Sequence, residues 1–389
     1  MILSELYIFL PIVLSLSFSL GWDNETKPSV TFRGHTKGLL SAVFSPDGSM
    51  VLTCAYDNTA RLWDLKGNTI AILKGHSDFI PTAVFSPNGK HILTASVDGT
   101  ARLWDIKGKT ITILAGHKGW ISTAVFSKNG DMILTGSGDK TARLWDLKGR
   151  PSTVFTGHEA TLFSAVFSPD GEMILTGSGD KTARLWDLKG KTGTVFTGHD
   201  DKINGAVFSP QGNNILTSSI DNTARLWDLE GNCLAIFEGH EDVVIAAKFS
   251  PDGSKVLTNS KDEEAYLWDL EGNIIAYLDR HGGEVWSANF SADGSLVLTA
   301  SNDITARLWD LEGTMVAIFT GHEDDVTSGV FSQDGSMVLT ASLDKTACLW
   351  EVPVEYRPKQ ALQKSEPIDL TMIERIVKTI RKRMGNLLD

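Results

Sequence analysis

The chain has 389 residues, a formal net charge of −12 and three cysteines. The acidic charge argues against nonspecific binding to the phosphate backbone of nucleic acids. Cys54, Cys233 and Cys348 lack the number and the spacing of a disulfide framework or a zinc site. The sequence also has no P-loop and no dinucleotide-binding glycine motif, so it predicts no cofactor and no metal.

The chain begins with an apolar run over residues 6–20, which Pro11 interrupts. The run is shorter than the roughly 20 residues of a membrane span, and Ser19-Leu20-Gly21 suits signal peptidase. Residues 1–5 lack the Lys or Arg that a signal peptide carries there. A cleaved signal peptide, an uncleaved anchor and a wrongly assigned start codon therefore remain open for residues 1–21. We expect a secreted or periplasmic protein in the first case and otherwise a cytoplasmic one.

A repeat follows this segment. Trp-Asp recurs every 41 residues from Trp22 to Trp309 and returns once more as Trp350-Glu351. Gly-His keeps the same period, with Arg280-His281 in its place once. Eight complete units run from a His to a Trp.

One unit predicts one small sheet. In the third unit, three runs rich in β-branched and aromatic residues lie within residues 117–145, and turns at Asn129-Gly130 and Gly138-Asp139 separate them. A fourth run, Ser152–Phe155, leads to the next Gly-His. Each unit is therefore predicted to form a four-stranded antiparallel sheet.

A period near forty, with Gly-His opening and Trp-Asp closing each unit, resembles the WD40-repeat family over residues 22–351. The resemblance implies an all-β fold in which each unit is one blade of a β-propeller, here with eight blades. Val352-Pro353 ends the pattern without a fourth strand, whereas Ser29–Phe32 is a fourth strand without a blade of its own. We therefore expect the N-terminal strand to close the last blade, and residues 22–352 to form the propeller domain.

Every unit also carries an Asp in the turn before its third strand and a Thr four residues earlier. A His, an Asp and a hydroxyl could form a nucleophile–base set, but eight copies argue against a single active site. The resemblance implies a structural hydrogen-bond network instead, formed in the third unit by His117, Thr135, Asp139 and Trp145 and by their equivalents elsewhere. The sequence leaves open whether the hydroxyl belongs to Thr or to the Ser two residues later. No catalytic residue is predicted.

The positions that differ between these near-identical units indicate where a partner binds. The third and fifth residues after each His vary, whereas the residue between them is always Leu, Ile or Val. Period-two alternation places the constant residue between blades and the variable pair on the opposite side. The resemblance implies that this pair and the residue before the turn Asp surround the mouth of the central channel on the partner-binding face. The predicted partner-binding rim consists of Tyr56, Phe79, Trp120, Phe163, Lys202, Ile245, Glu284 and Trp286. The alternative is that some of these side chains fill gaps between blades.

The C-terminal segment, residues 353–389, has a different composition. It holds eight Lys or Arg and five Asp or Glu, a net charge of +3, which leaves about −15 on the rest of the chain. A polar linker precedes Thr371–Glu374, a capping box that opens a predicted helix with one apolar stripe and basic residues on its other faces. This basic amphipathic helix could bind a partner groove, pair with itself, lie on an anionic membrane, or pack on its own acidic propeller.

The sequence thus predicts a non-catalytic scaffold that binds a protein or peptide partner through the rim of one propeller face. We expect a monomeric propeller with no nucleic-acid partner, and membrane contact only through residues 1–21 or the C-terminal helix. The alternative is an exported eight-bladed enzyme that resembles quinoprotein dehydrogenases, although those enzymes carry a different repeat signature. Absorbance of a quinone cofactor would favour that alternative.

Overall fold

The computed structural model of the protein describes residues 25–358, which form 33 β-strands and the short 3₁₀ helix Val354–Tyr356. The predicted N-terminal segment 1–21 and the predicted C-terminal helix lie outside the described residues. Within the described range, no helix is long and apolar enough to cross a membrane.

The strands form eight sheets arranged as the blades of a propeller, as the sequence predicts. Two strands precede the first full blade, β1 (Glu25–Thr26) and β2 (Val30–Arg33). Blades one to four consist of β3 (Leu39–Phe44), β4 (Met50–Ala55), β5 (Thr59–Asp64), β6 (Thr69–Lys74), β7 (Thr82–Phe85), β8 (His91–Ala95), β9 (Thr100–Asp105), β10 (Thr110–Ala115), β11 (Ile121–Phe126), β12 (Met132–Ser137), β13 (Ala142–Asp146), β14 (Pro151–Phe155), β15 (Leu162–Phe167), β16 (Met173–Ser178), β17 (Ala183–Asp187) and β18 (Thr192–Phe196). Blades five to eight consist of β19 (Ile203–Phe208), β20 (Asn214–Ser219), β21 (Ala224–Asp228), β22 (Cys233–Phe237), β23 (Val244–Phe249), β24 (Val256–Ser260), β25 (Ala265–Trp268), β26 (Ile274–Leu278), β27 (Val285–Phe290), β28 (Val297–Ser301), β29 (Ala306–Trp309), β30 (Met315–Phe319), β31 (Val326–Phe331), β32 (Met337–Ser342) and β33 (Thr346–Glu351).

The first strand of each blade lies innermost, because the first strands of neighbouring blades pack side by side around the channel. Successive strands within a blade are antiparallel, so their connections alternate between the two faces of the ring. We call the face that carries the Gly-His segments and the turns with the conserved Asp the upper face. The turns between the first and second strands lie on the lower face.

The N-terminal strand closes the ring, as predicted. Strand β2 pairs antiparallel with β33 from Val30 opposite Leu349 to Arg33 opposite Thr346, and it supplies the fourth strand of blade eight. Strand β1, which the sequence does not predict, pairs parallel with β30 at the outer edge of blade seven. Strands β1 and β2 therefore join blades seven and eight through main-chain hydrogen bonds.

The hydrophobic core lies in the seams between blades. In the seam between blades three and four, Leu144 and Phe155 pack with Leu162, Ile174 and Trp186 of the next blade. The aliphatic residue that is constant in every unit is buried in all eight blades, as period-two alternation predicts. The seams repeat around the ring, so each blade is held mainly by its two neighbours.

Two seams depart from this plan. The residue before the Phe that ends the first strand is Val in six blades, and all six of these Val residues, Val207 among them, pack against a seam cluster. Blades six and seven carry Lys248 and Asn289 at this position. The Lys248 ammonium donates a hydrogen bond to Asn289 Oδ1, and Asn289 Nδ2 donates to the carbonyl of Gly329 at 2.7 Å. Burial lowers the pKa of Lys248 to about 8.

Replacing both residues in the double variant Lys248→Val/Asn289→Val should stabilise the protein at pH 7. The folded-state pKa of Lys248 lies below the unfolded value near 10.5, so its charged form is penalised by at most about 3 kcal/mol at pH below 8. That penalty is relieved as the pH rises from 8 to 10.5, because the folded state then loses the proton first. We therefore expect the gain to shrink over this range when urea unfolding is followed at several pH values.

The reciprocal variant Val207→Lys in blade five is the matched control, and it should lose stability. An equal or lower stability of the double variant at pH 7 would contradict the burial argument.

Candidate functional site

A hydrogen-bonded chain of four side chains runs through every blade. In blade three, Trp145 Nε1 lies 2.8 Å from Thr135 Oγ1, His117 Nε2 lies 2.8 Å from the same oxygen, and His117 Nδ1 lies 2.9 Å from Asp139 Oδ2. The hydroxyl is therefore that of Thr, the question that the sequence leaves open. The same three contacts span 2.7 to 2.9 Å in the other seven blades.

Each polar group of this hydrogen-bonded network has a partner when the His is neutral. The indole N–H donates to the Thr oxygen, the Thr hydroxyl donates to Nε2, and the Nδ1–H donates to the carboxylate; this tautomer is assigned from the network. Asp139 Oδ2 also accepts the backbone N–H of Lys118 at 2.9 Å, while Oδ1 accepts the Thr141 hydroxyl at 2.6 Å. A fully satisfied buried network fixes the packing of the strands that contribute to it.

In blade three, the pKa values of the network agree with a neutral His117 and a charged Asp139. Burial acts to raise the pKa of Asp139, but hydrogen bonds from Thr141, the Lys118 amide and His117 outweigh it and lower the pKa to about 2. Burial lowers the pKa of His117, although the hydrogen bond to Asp139 opposes it. The His side chains of these pairs are at most 1% exposed. A nucleophile or base for catalysis needs access to substrate, so this geometry serves structure.

Blades six and eight modify the network where their sequences depart from the repeat. Tyr266 replaces the Arg of strand three in blade six and stacks on His240 with ring centroids 4.1 Å apart. Cys348 takes that place in blade eight. Burial acts to lower the pKa of His322 there, but Asp344 and Cys348 outweigh it and raise the pKa to about 9. No group of His, Cys, Asp or Glu within residues 25–358 is arranged to hold a metal ion.

The variable positions of the units meet on the upper face. In every blade, the backbone N–H of the residue before the turn Asp donates to the carbonyl of the third residue after the His, as Tyr56 does to Gly38 at 3.0 Å. This bond places the two variable sets side by side at the start of the innermost strand. The fifth residue after the His lies on the same strand and reaches the neighbouring blade, where Ser122 Oγ donates to the carbonyl of Leu162 at 2.7 Å.

Six predicted rim residues and one further residue form three clusters, and each cluster bridges neighbouring blades. The ring centroids of Tyr56 in blade one and Phe79 in blade two lie 5.0 Å apart. Those of Trp120 in blade three and Phe163 in blade four lie 6.2 Å apart. The third cluster comprises Lys261 of blade six with Glu284 and Trp286 of blade seven.

The third cluster includes one residue, Lys261, that is not part of the predicted partner-binding rim. Lys261 Nζ lies 3.3 Å from Glu284 Oε2 and 5.4 Å from the centroid of the Trp286 ring, which is a cation–π distance. Lys261 is a variable residue before a turn Asp, so its position was visible in the repeat, but its partners were not. Two predicted rim residues, Lys202 and Ile245, lie outside the three clusters; Lys202 is exposed and Ile245 is half-buried.

A glycine makes room for the most exposed part of the second cluster. Trp120 lies across the backbone of Gly138, where an added Cβ would come within 2.6 Å of the indole Nε1. The ring is thereby held against the main chain and still exposes 37% of its surface. Tyr56 and Trp286 are exposed to 39% and 37%, so all three clusters present an aromatic surface to solvent.

Comparison with known protein families agrees with this geometry. Residues 26–64, 67–105 and 108–146 each match the family described as WD domain, G-beta repeat. Residues 148–368, more than half of the chain, match the family described as IFT122 first beta-propeller. Propellers of these families typically bind protein partners and are typically non-catalytic. The protein belongs to the WD40-repeat family of β-propellers.

Proposed function

We propose that this protein is a non-catalytic scaffold that binds a protein or peptide partner through the upper-face rim of its propeller. The observation that carries the proposal is the set of three rim clusters, which form where the units differ from one another. A structural requirement of the fold would recur in every blade, as the Trp–Thr–His–Asp network does. The rim clusters do not recur, so their composition reflects something other than folding.

Blades one to four supply the apolar part of the surface. Tyr56 packs against Phe79 and Trp120 packs against Phe163, so each exposed ring is supported by a ring of the next blade. A supported ring loses little entropy when a partner covers it, and large aromatic rings dominate binding hot spots for this reason. We propose that this arc receives apolar side chains of the partner.

Blades six to eight supply the polar part. Lys261, Glu284 and Trp286 combine a cation, a carboxylate and a ring within one cluster. Burial and the nearby carboxylates of Asp324 and Glu284 raise the pKa of Asp325 in blade eight, so the charge of Glu284 acts on a second blade of the rim. Half-buried charges of both signs orient a partner more than they add affinity. We propose that this side of the rim fixes the direction in which the partner lies across the channel mouth.

The outer edges of the blades also expose apolar side chains, including Ile70, Ile111, Leu234 and Tyr277. These residues alternate with buried ones on the fourth strands, and similar ones recur in neighbouring blades. Because similar exposed residues recur from blade to blade, they are features of the repeat itself. We therefore use them as a control surface and do not propose them as the binding site.

Partner binding should fall at least tenfold in the variant Phe79→Ala/Trp120→Ala/Phe163→Ala/Trp286→Ala, since each hot-spot ring contributes on the order of 1–2 kcal/mol or more. The measurement is a quantitative pull-down from the source cells, with the fold of the variant checked by its thermal unfolding. A partner identified in this way would then be titrated against the purified chain.

The matched control is Ile70→Ala/Ile111→Ala/Leu234→Ala/Tyr277→Ala, which removes four exposed apolar side chains from the outer edges. The proposal requires that this control keep the partner that the rim variant loses. Equal binding by both variants, or loss in the outer-edge variant alone, would move the site away from the rim.

A further inference from the structure

The lower face carries a one-sided distribution of charge. The turn between the first and second strands has Asp, Asn or Gln at its third residue in all eight blades. The acidic members include four from consecutive blades, since blades six, seven, eight and one carry Asp252, Asp293, Asp334 and Asp47. Blades two, three and five have Asn88, Asn129 and Gln211, and Asp170 of blade four stands apart from the run. We call the four consecutive residues the acidic arc.

Hydrogen bonds hold two carboxylates of the arc, those of Asp47 and Asp252, in the charged form. Asp47 Oδ1 accepts the Ser45 hydroxyl at 2.6 Å and the Ser49 backbone N–H at 3.0 Å, and these neutral donors lower the pKa of Asp47 to about 2. Asp252 is held in the same way by Ser250 and the Ser254 amide, with a pKa again lowered to about 2. Both groups are therefore anionic at neutral pH.

The arc borders a groove of about 700 Å³ between blades seven, eight and one. Its apolar lining includes Phe44, Leu65, Met337 and Leu349. Asp47, Asp293 and Asp334 also line it. The lining of the groove thus combines apolar and anionic side chains.

The described chain ends in this groove. Pro358 lines it and lies against Gly335. Two hydrogen bonds fix the residues that lead to Pro358. The backbone N–H of Val352 donates to the carbonyl of Ser336 at 3.0 Å, and Arg357 Nη2 donates to Glu351 Oε2 at 2.8 Å. The chain therefore continues from the groove itself.

The continuation has the complementary chemistry. Residues 371–384, the predicted helix, carry Ile373, Ile376, Val377, Ile380 and Met384 along one stripe. Arg375, Lys378, Arg381, Lys382 and Arg383 occupy the other faces. The intervening residues 359–370 can span up to roughly 40 Å, so they do not restrict where on the lower face the helix lies. A tether of this length keeps residues 371–384 at an effective concentration on the order of millimolar, so a weak site suffices.

We infer that residues 371–384 dock in the lower-face groove of their own propeller, with the apolar stripe against its apolar lining and the basic residues against the acidic arc. This contact leaves the upper-face rim uncovered. The inference therefore stands apart from the proposed function, and either one can fail without the other.

The test is hydrogen–deuterium exchange of the full-length protein, read by mass spectrometry. Peptides that cover residues 371–384 should exchange at least tenfold more slowly than an unstructured chain, because docking protects the helix amides. In the variant Asp47→Asn/Asp293→Asn/Asp334→Asn, this protection should fall by about fivefold, since three exposed charge pairs are lost. Added salt should weaken it in the same direction.

Asn is chosen because it keeps the turns intact. Asn88 already occupies this position in blade two, where its Oδ1 accepts the Ser86 hydroxyl at 2.8 Å and the Lys90 amide at 3.0 Å. The matched control is Asp170→Asn, the same exchange in the turn of blade four, which should leave the protection unchanged.

Three results would overturn the inference. Unprotected exchange of residues 371–384 in the wild-type chain would show that they do not dock. Protection that the triple variant leaves unchanged would place the helix elsewhere. Protection that disappears on dilution would mean that the helix binds a second copy of the chain and not its own propeller.

Discussion

Replacing Phe32 with alanine should lower the free energy of unfolding by about 3–5 kcal/mol and open the ring at its closing strand. Phe32 is 1% exposed and packs edge to face against Trp63 of blade one, with ring centroids 5.9 Å apart. It lies on β2, which reaches blade eight from the other end of the chain. Once its anchor is lost, β2 is held on β33 only by main-chain hydrogen bonds and a few smaller contacts.

Phe155→Ala provides the matched control for this experiment. Phe155 is also 1% exposed and packs on Trp186 at 5.8 Å, but its strand lies within a continuous blade, and short connections hold it on both sides. We expect similar losses in urea unfolding from the two variants. Amide exchange in β33 should rise strongly for Phe32→Ala, whereas exchange in β13 should change little for Phe155→Ala. Equal exchange in the two strands would show that β2 does not act as a latch.

Replacing Thr135 with valine should destabilise the protein by about 2–5 kcal/mol. The change keeps the shape of the side chain but leaves the Trp145 indole without an acceptor and His117 Nε2 without a donor. Each buried polar group left without a partner costs about 1–3 kcal/mol. Urea unfolding with tryptophan fluorescence measures the loss.

The control variants separate the hydroxyl from the methyl group. Thr135→Ser keeps the hydroxyl and removes one methyl, so it should cost no more than about 1.5 kcal/mol. Thr192→Val lies on an exposed outer strand and should change stability by less than about 0.5 kcal/mol. If Thr135→Ser cost as much as Thr135→Val, packing and not the hydrogen-bond network would explain the effect.

The candidate site could be predicted in part. The repeat itself exposes the variable positions, because 41-residue copies align without a gap, and Phe79, Trp120 and Trp286 stand out against their equivalents. Which of these side chains touch could not be predicted, since Tyr56 meets Phe79 and Trp120 meets Phe163 across a seam between two blades. Lys261 shows the limit most clearly. Its variable position was visible, but its contacts with Glu284 and Trp286 depend on how blade six packs on blade seven.

The sequence by itself determined the number of blades, the four strands of each blade, the buried face of the first strand in each blade and the closure of blade eight by the strand around Phe32. These features follow from the period of the repeat and from local alternation, which act within a few residues of one another. Only the tertiary structure decided that Thr135 and not Ser137 supplies the network hydroxyl, that β1 pairs with β30, and that Lys248 meets Asn289 in a seam of aliphatic residues. The Thr135 contacts depend on how the strands of one blade pack together, and the other two contacts depend on how neighbouring blades and the N-terminal strands meet in the closed ring, so no local pattern sets their partners.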